Sequence, residues 1–123
     1  MNKRLAKAGR DILRDLLPKC TPAEIAKFGE IFAPGHEDFN EMIDHIPDNK
    51  IDTAISQCER TLSKEYSTNE ALQEFYDSPD KSKISILNDA LEYMQRYNGR
   101  TKSTCILMAM GLHKTANGNW KKS

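Results

Sequence analysis

The chain has 123 residues, 38% of them apolar, and its 18 Lys/Arg balance 18 Asp/Glu to a formal net charge of zero. That length fits one domain whose core needs neither metal nor disulfide, and the mean hydropathy of -0.68 marks a polar surface. The clear apolar periodicity argues against disorder, and three widely spaced cysteines, Cys20, Cys58 and Cys105, fit a reducing cytosol better than a secreted disulfide scaffold.

Charge is segregated along the chain. Residues 1–19 carry six Lys/Arg against two Asp/Glu, residues 20–60 carry three against nine, residues 61–80 one against five, and residues 81–123 eight against two. Both ends are basic and the middle is acidic. The basic start is not followed by an apolar stretch, so no signal peptide is predicted. The longest apolar run, residues 105–112, is too short to span a membrane.

Residues 3–17 read as an amphipathic helix. Leu5, Ala8, Ile12, Leu13 and Leu16 form its apolar stripe, Lys3, Lys7, Arg10 and Arg14 its outer stripe, and Pro18 ends it. Thr21-Pro22-Ala23-Glu24 supplies an N-cap, a first-turn proline and a capping-box glutamate. The helix it opens presents Ile25, Phe28 and Phe32 and stops at Pro34-Gly35. A short third helix is predicted over 37–46, with Phe39, Met42, Ile43 and Ile46 inward, and Pro47 closes it. A fourth over 49–65 carries Ile51, Ala54, Ile55, Cys58 and Leu62 at helical spacing. Ser67-Thr68-Asn69-Glu70 is a second capping-box signature, opening a short helix with Leu72, Phe75 and Tyr76.

Residues 79–98 are the predicted centre. At about 100° per residue, Ile84, Leu87, Leu91 and Met94 make one stripe, and Ile86, Ala90, Tyr93 and Tyr97 make a second beside it. An apolar arc of roughly 180° calls for neighbours on two sides. Ser78 is the expected N-cap and Asn98-Gly99 the stop. A last helix over 102–111 carries Cys105, Ile106, Leu107 and Met110, with Gly111 as its C-cap. Residues 113–123 show no periodicity and are expected to form a loose basic tail after a helical domain over 1–112. Without convincing alternation, and with no valine, the chain is expected to be all-α rather than to hold any sheet: a single compact domain of six or seven short helices around the 79–98 helix.

Three constellations bear on function. Glu37, Glu41 and His45 share one helix face, with His36 and Asp44 nearby. No second carboxylate–histidine pair accompanies them, so a solvated face is the better reading than a metal site. No nucleophile motif, phosphate-cradling glycine loop or HExxH occurs, so neither a catalytic site nor a cofactor is expected. The stripe of Lys3, Lys7, Arg10 and Arg14 suits a phosphate backbone, a solvated face, or pairing with the acidic middle of the same chain.

Residues 100–122 resemble a helix-turn-helix in their order: an apolar helix, Gly111-Leu112 at the turn, and Trp120 nine residues after Gly111. The resemblance departs at Asn117, where an inward residue is needed. Asn117-Gly118-Asn119 disfavours a second helix by roughly 2 kcal/mol, so no family function is carried over.

The leading expectation is a non-catalytic cytoplasmic binding or regulatory protein of inhibitor, adaptor or immunity type. Its acidic face, Glu37, Asp38, Glu41 and Asp44, would meet a protein partner. The alternative is a nucleic-acid-binding regulator using Lys3, Lys7, Arg10, Arg14, Arg96, Arg100, Lys102 and Trp120.

Overall fold

The structure, a computed structural model, describes residues 3–122. The chain is mostly α-helical, as its periodicity predicts. Seven helices are described: α1 (Lys3–Leu16), α2 (Pro22–Phe32), α3 (Phe39–Asp44), α4 (Ile51–Ser63), α5 (Thr68–Tyr76), α6 (Asp80–Arg96) and α7 (Lys102–Ala109). None is long and apolar enough to cross a membrane. Contacts group the described chain into two compact units, residues 3–20 with Glu24–Ser63, and Thr21–Ala23 with residues 64–122.

In the first unit α1 lies against α3 and α4. Its core gathers Leu13 and Leu17, Phe28 and Phe32, Met42, Ile43 and Ile46, and Ile51, Ala54 and Cys58. The buried stripe of α1 is Ala6, Gly9 and Leu13, continued by Leu17, so the expected stripe is turned. Leu5 and Ile12 are 58% and 45% exposed. The cause is small side chains: the face with Ala6 and Gly9 lets α4 approach more closely than a face of leucines would. The Asp38 carboxylate caps α3, accepting from the Glu41 amide at 3.0 Å.

The second unit holds α5, α6, α7 and one small sheet, which corrects the expectation of no sheet. Strands β1 (Glu65–Tyr66), β2 (Leu112–Lys114) and β3 (Trp120–Lys122) run antiparallel in the order β1-β3-β2. Tyr66 and Lys114 both stand opposite Trp120. Strands of two or three residues are too short to display alternation, which is why the sequence concealed them. Residues 113–122 of the expected loose tail therefore hold a hairpin whose Trp120 is buried; Ser123 lies outside the described residues. Trp120 Nε1–H donates to Thr68 Oγ1 at 3.1 Å, and the ring packs with Tyr66, Ala71, Leu107 and Leu112. A neighbouring cluster joins Phe75 of α5, Ile86 and Ala90 of α6, and Cys105 and Ile106 of α7.

The central placement of α6 is corrected. Of its second stripe Ile86 and Ala90 are buried and Tyr93 half-buried, while Tyr97 and the whole first stripe of Ile84, Leu87, Leu91 and Met94 are exposed. Ser78 is not its N-cap either. The Ser78 hydroxyl donates back to the Glu74 carbonyl at 2.8 Å, and Pro79 takes the cap position without a side-chain bond.

Candidate functional site

The outer face of α6 is built by two competing stripes on one helix. Ile86 and Ala90 are 6% and 2% exposed, with Tyr93 half-buried beside them, and they pack on Cys105 and Ile106. That contact turns the other stripe away from the core. Ile84 is 61% exposed, Leu91 56%, and Leu87 and Met94 37% each. Spaced at i, i+3, i+7 and i+10, these four follow one line along the helix. Their combined apolar surface is on the order of a few hundred Å², the size at which exposed patches mark interaction sites. Exposed Asn88 and Gln95 border the stripe on its solvent side, and Asp89, Glu92 and Arg96 lie further round the helix. The solvent-side rim is therefore uncharged along Asn88 and Gln95, while Asp80 and Lys83 bring charge to its N-terminal end.

The predicted acidic face is divided in its roles. Glu37 and Glu41 are exposed and form no ion pair among the described residues. Asp38 serves as the α3 cap, and Asp44 pairs with the Arg14 guanidinium. His45 Nδ1–H donates to the Glu41 carbonyl at 2.7 Å, and its ring stacks on His36 with centroids 3.8 Å apart. Among the described residues no group of three His, Cys, Asp or Glu is placed to hold a metal ion.

The predicted basic face is likewise redistributed. Arg10 donates from Nη2 to the Ile46 carbonyl at 2.7 Å and to Asp48 at 2.7 Å, and from Nε to the Ile43 carbonyl at 3.3 Å. It thereby satisfies carbonyls at and just beyond the end of α3, where a cation also suits the helix dipole. Arg14 bridges Asp44 and Asp11. Internal pairing with the acidic middle, one of the three readings of this stripe, is what Arg10 and Arg14 adopt. Lys3 and Lys7 remain exposed on α1 in the first unit, and Arg96, Arg100 and Lys102 are exposed in the second. Trp120 is 3% exposed, so it is a core residue and not a surface contact. The second helix of the helix-turn-helix resemblance is replaced by the β2–β3 hairpin. Its turn is closed by the Thr115 amide on the Asn119 carbonyl at 2.7 Å and the Gly118 amide on the Thr115 carbonyl at 3.0 Å.

All three cysteines are buried and none is in a disulfide. A hydrogen bond with Cys20 lowers the pKa of the Cys58 thiol, against the opposing effect of burial. That contact joins residues 38 apart and has no local sequence signal. The outer stripe of α6 did have one: an apolar arc wider than a single neighbour covers.

Comparison with known protein families, with curated proteins and with solved structures finds no match to this chain.

Proposed function

We propose that this is a non-catalytic binding protein, of inhibitor or adaptor type, that docks a protein partner on the outer face of α6. One observation carries the reading: Ile84, Leu87, Leu91 and Met94 form a continuous exposed stripe on a helix whose other stripe is already packed. Such a line, bordered by Asn88 and Gln95 and charged only at the end that holds Asp80 and Lys83, suits an amphipathic helix of the partner, laid alongside with its apolar residues between these four. Exposed Glu37 and Glu41 are a separate acidic surface that would speed encounter with a basic partner without supplying most of the affinity. Three buried cysteines outside any disulfide suit a reducing cytoplasm.

Photo-crosslinking tests this. Benzoylphenylalanine in place of Leu91, expressed in the source cell, should yield an adduct of discrete mass with a protein. The same label in place of Asp89, exposed on another arc of α6, should not. Equal adducts from both positions, or none from position 91, would defeat the reading. Loss of a shifted band on random duplex DNA when Lys3 and Lys7 are changed to Glu would favour the nucleic-acid alternative instead.

A further inference from the structure

The second unit contains a cavity of about 460 Å³ between the end of α6, α7 and the β2–β3 hairpin. That volume lies in the range of pockets that enclose small organic ligands. Its apolar walls are Tyr93, Met108, Leu112 and Trp120. The Trp120 ring is held in place by burial and by its bond to Thr68. Arg100 and Lys114 bring two positive charges to the same cavity, and no Asp or Glu lines it.

Those charges are not neutralised within the unit. Arg100 Nη1 lies 2.9 Å from the Met108 thioether, and its Cζ lies 5.0 Å from the centre of the Tyr97 ring. Neither neighbour is an anion, and a guanidinium carries five N–H donors. Neither Arg100 nor Lys114 enters an ion pair among the described residues. The Thr104 hydroxyl, 2.9 Å from Thr101 Oγ1, adds a polar group to the cavity it lines. Gly111, also in the lining, has φ +84, and a Cβ built there meets nothing within 4 Å, so its backbone is open to a ligand.

Uncompensated cations beside an aromatic-walled concavity select for charge and shape together. The planar guanidinium matches a phosphate or carboxylate through two parallel hydrogen bonds. The half-buried Tyr93 ring, with the Met108 thioether beside it and the buried Trp120 as backing, favours a flat apolar group. We infer that this cavity binds a small planar anion, an aromatic ring carrying a phosphate or a carboxylate. The site uses a different arc of α6 from Leu91 and is independent of the docking face.

Nitrogen-15 NMR titration of the full chain tests the assignment, with adenosine monophosphate and anthranilate as the phosphate and carboxylate probes. Uncharged adenosine and inorganic phosphate are the controls. At least one anionic probe should shift the Thr104, Gly111 and Lys114 amides and bind roughly tenfold tighter than adenosine or phosphate. Arg100→Gln should weaken that probe by about tenfold, and Arg100→Lys, which keeps the charge but loses the fork, by less. Whichever probe binds identifies the anionic group. The assignment is overturned if neither probe exceeds the controls, if the shifts map to the Ile84–Met94 face, or if Arg100→Gln with a native spectrum binds as wild type does.

Discussion

Gly9 of α1 lies so close to Ile51 of α4 that a Cβ on residue 9 would stand 2.3 Å from Ile51 Cγ2. Ile51 is fully buried and β-branched, so its methyl group cannot swing away cheaply. Gly9→Ala should therefore destabilise the protein by about 1–3 kcal/mol, although alanine is the better helix former. Urea unfolding of Gly9→Ala, Ile51→Ala and the double variant should show the double less destabilised than the two singles added together. Strict additivity would mean that the two positions are not in contact.

On α6 the exposure of the two stripes makes a sharp contrast. Leu91→Asn should change stability by no more than about 0.5 kcal/mol, as surface substitutions do. Ile86→Ala, at 6% exposure, should cost about 2–5 kcal/mol. Thermal unfolding of the two variants decides the matter. An equal loss in both would restore the central placement read from periodicity.

Arg10 and Arg14 should respond differently to salt. The Arg10 side chain is 19% exposed and bonds two carbonyls as well as Asp48, so Arg10→Gln should cost about 1–3 kcal/mol. Arg14, 33% exposed, bridges two exposed carboxylates, and Arg14→Gln should cost no more than about 1 kcal/mol. In concentrated sodium chloride the Arg14 effect should vanish, whereas most of the Arg10 effect should persist. Urea midpoints at low and high salt measure both, and parallel losses would contradict the assignment of carbonyl capping to Arg10.

The capping box of α5 predicts a pH dependence. Ser67 Oγ accepts from the Glu70 amide at 3.2 Å, and Glu70 Oε1 accepts from the Ser67 amide at 3.1 Å. The Ser67 backbone bond, then its hydroxyl, hold the Glu70 carboxyl below its ordinary value of 4.5. Because the folded value is depressed, this stabilisation is complete above 4.5 and is lost as pH falls through the folded value. The stability advantage of wild type over Glu70→Gln should thus shrink on acidification below pH 4.5 and be constant above it. A difference independent of pH would remove the charge from the argument. Ser67→Ala should cost about 1 kcal/mol near neutrality.

Sequence alone determined what is settled within one turn of chain. The α5 capping box is predicted by Ser67 and Glu70 and is present. Gly99 and Gly111, marked as helix stops, adopt φ of +90 and +84 beyond α6 and α7. Seven helices lie within a few residues of where apolar periodicity places them, although Ser78, the expected cap of α6, is not one. Such features depend on hydrogen bonds between near neighbours, so residue type and spacing suffice. Which stripe of a helix is buried was decided only by tertiary structure. Large side chains dominate a periodicity reading, so Leu5 and Ile12 looked buried on α1, and Ile84, Leu87 and Leu91 on α6. The structure packs Ala6 and Gly9 inward instead, and Ala90 with Ile86, because small residues let another helix come close. The same holds for Arg10, whose place among the Ile43 and Ile46 carbonyls depends on α3 lying across α1. It holds too for Trp120, buried through a strand pairing with residues over 50 positions earlier. A helix carries its own periodicity, but the neighbour that covers it is set by the close packing of segments distant in sequence.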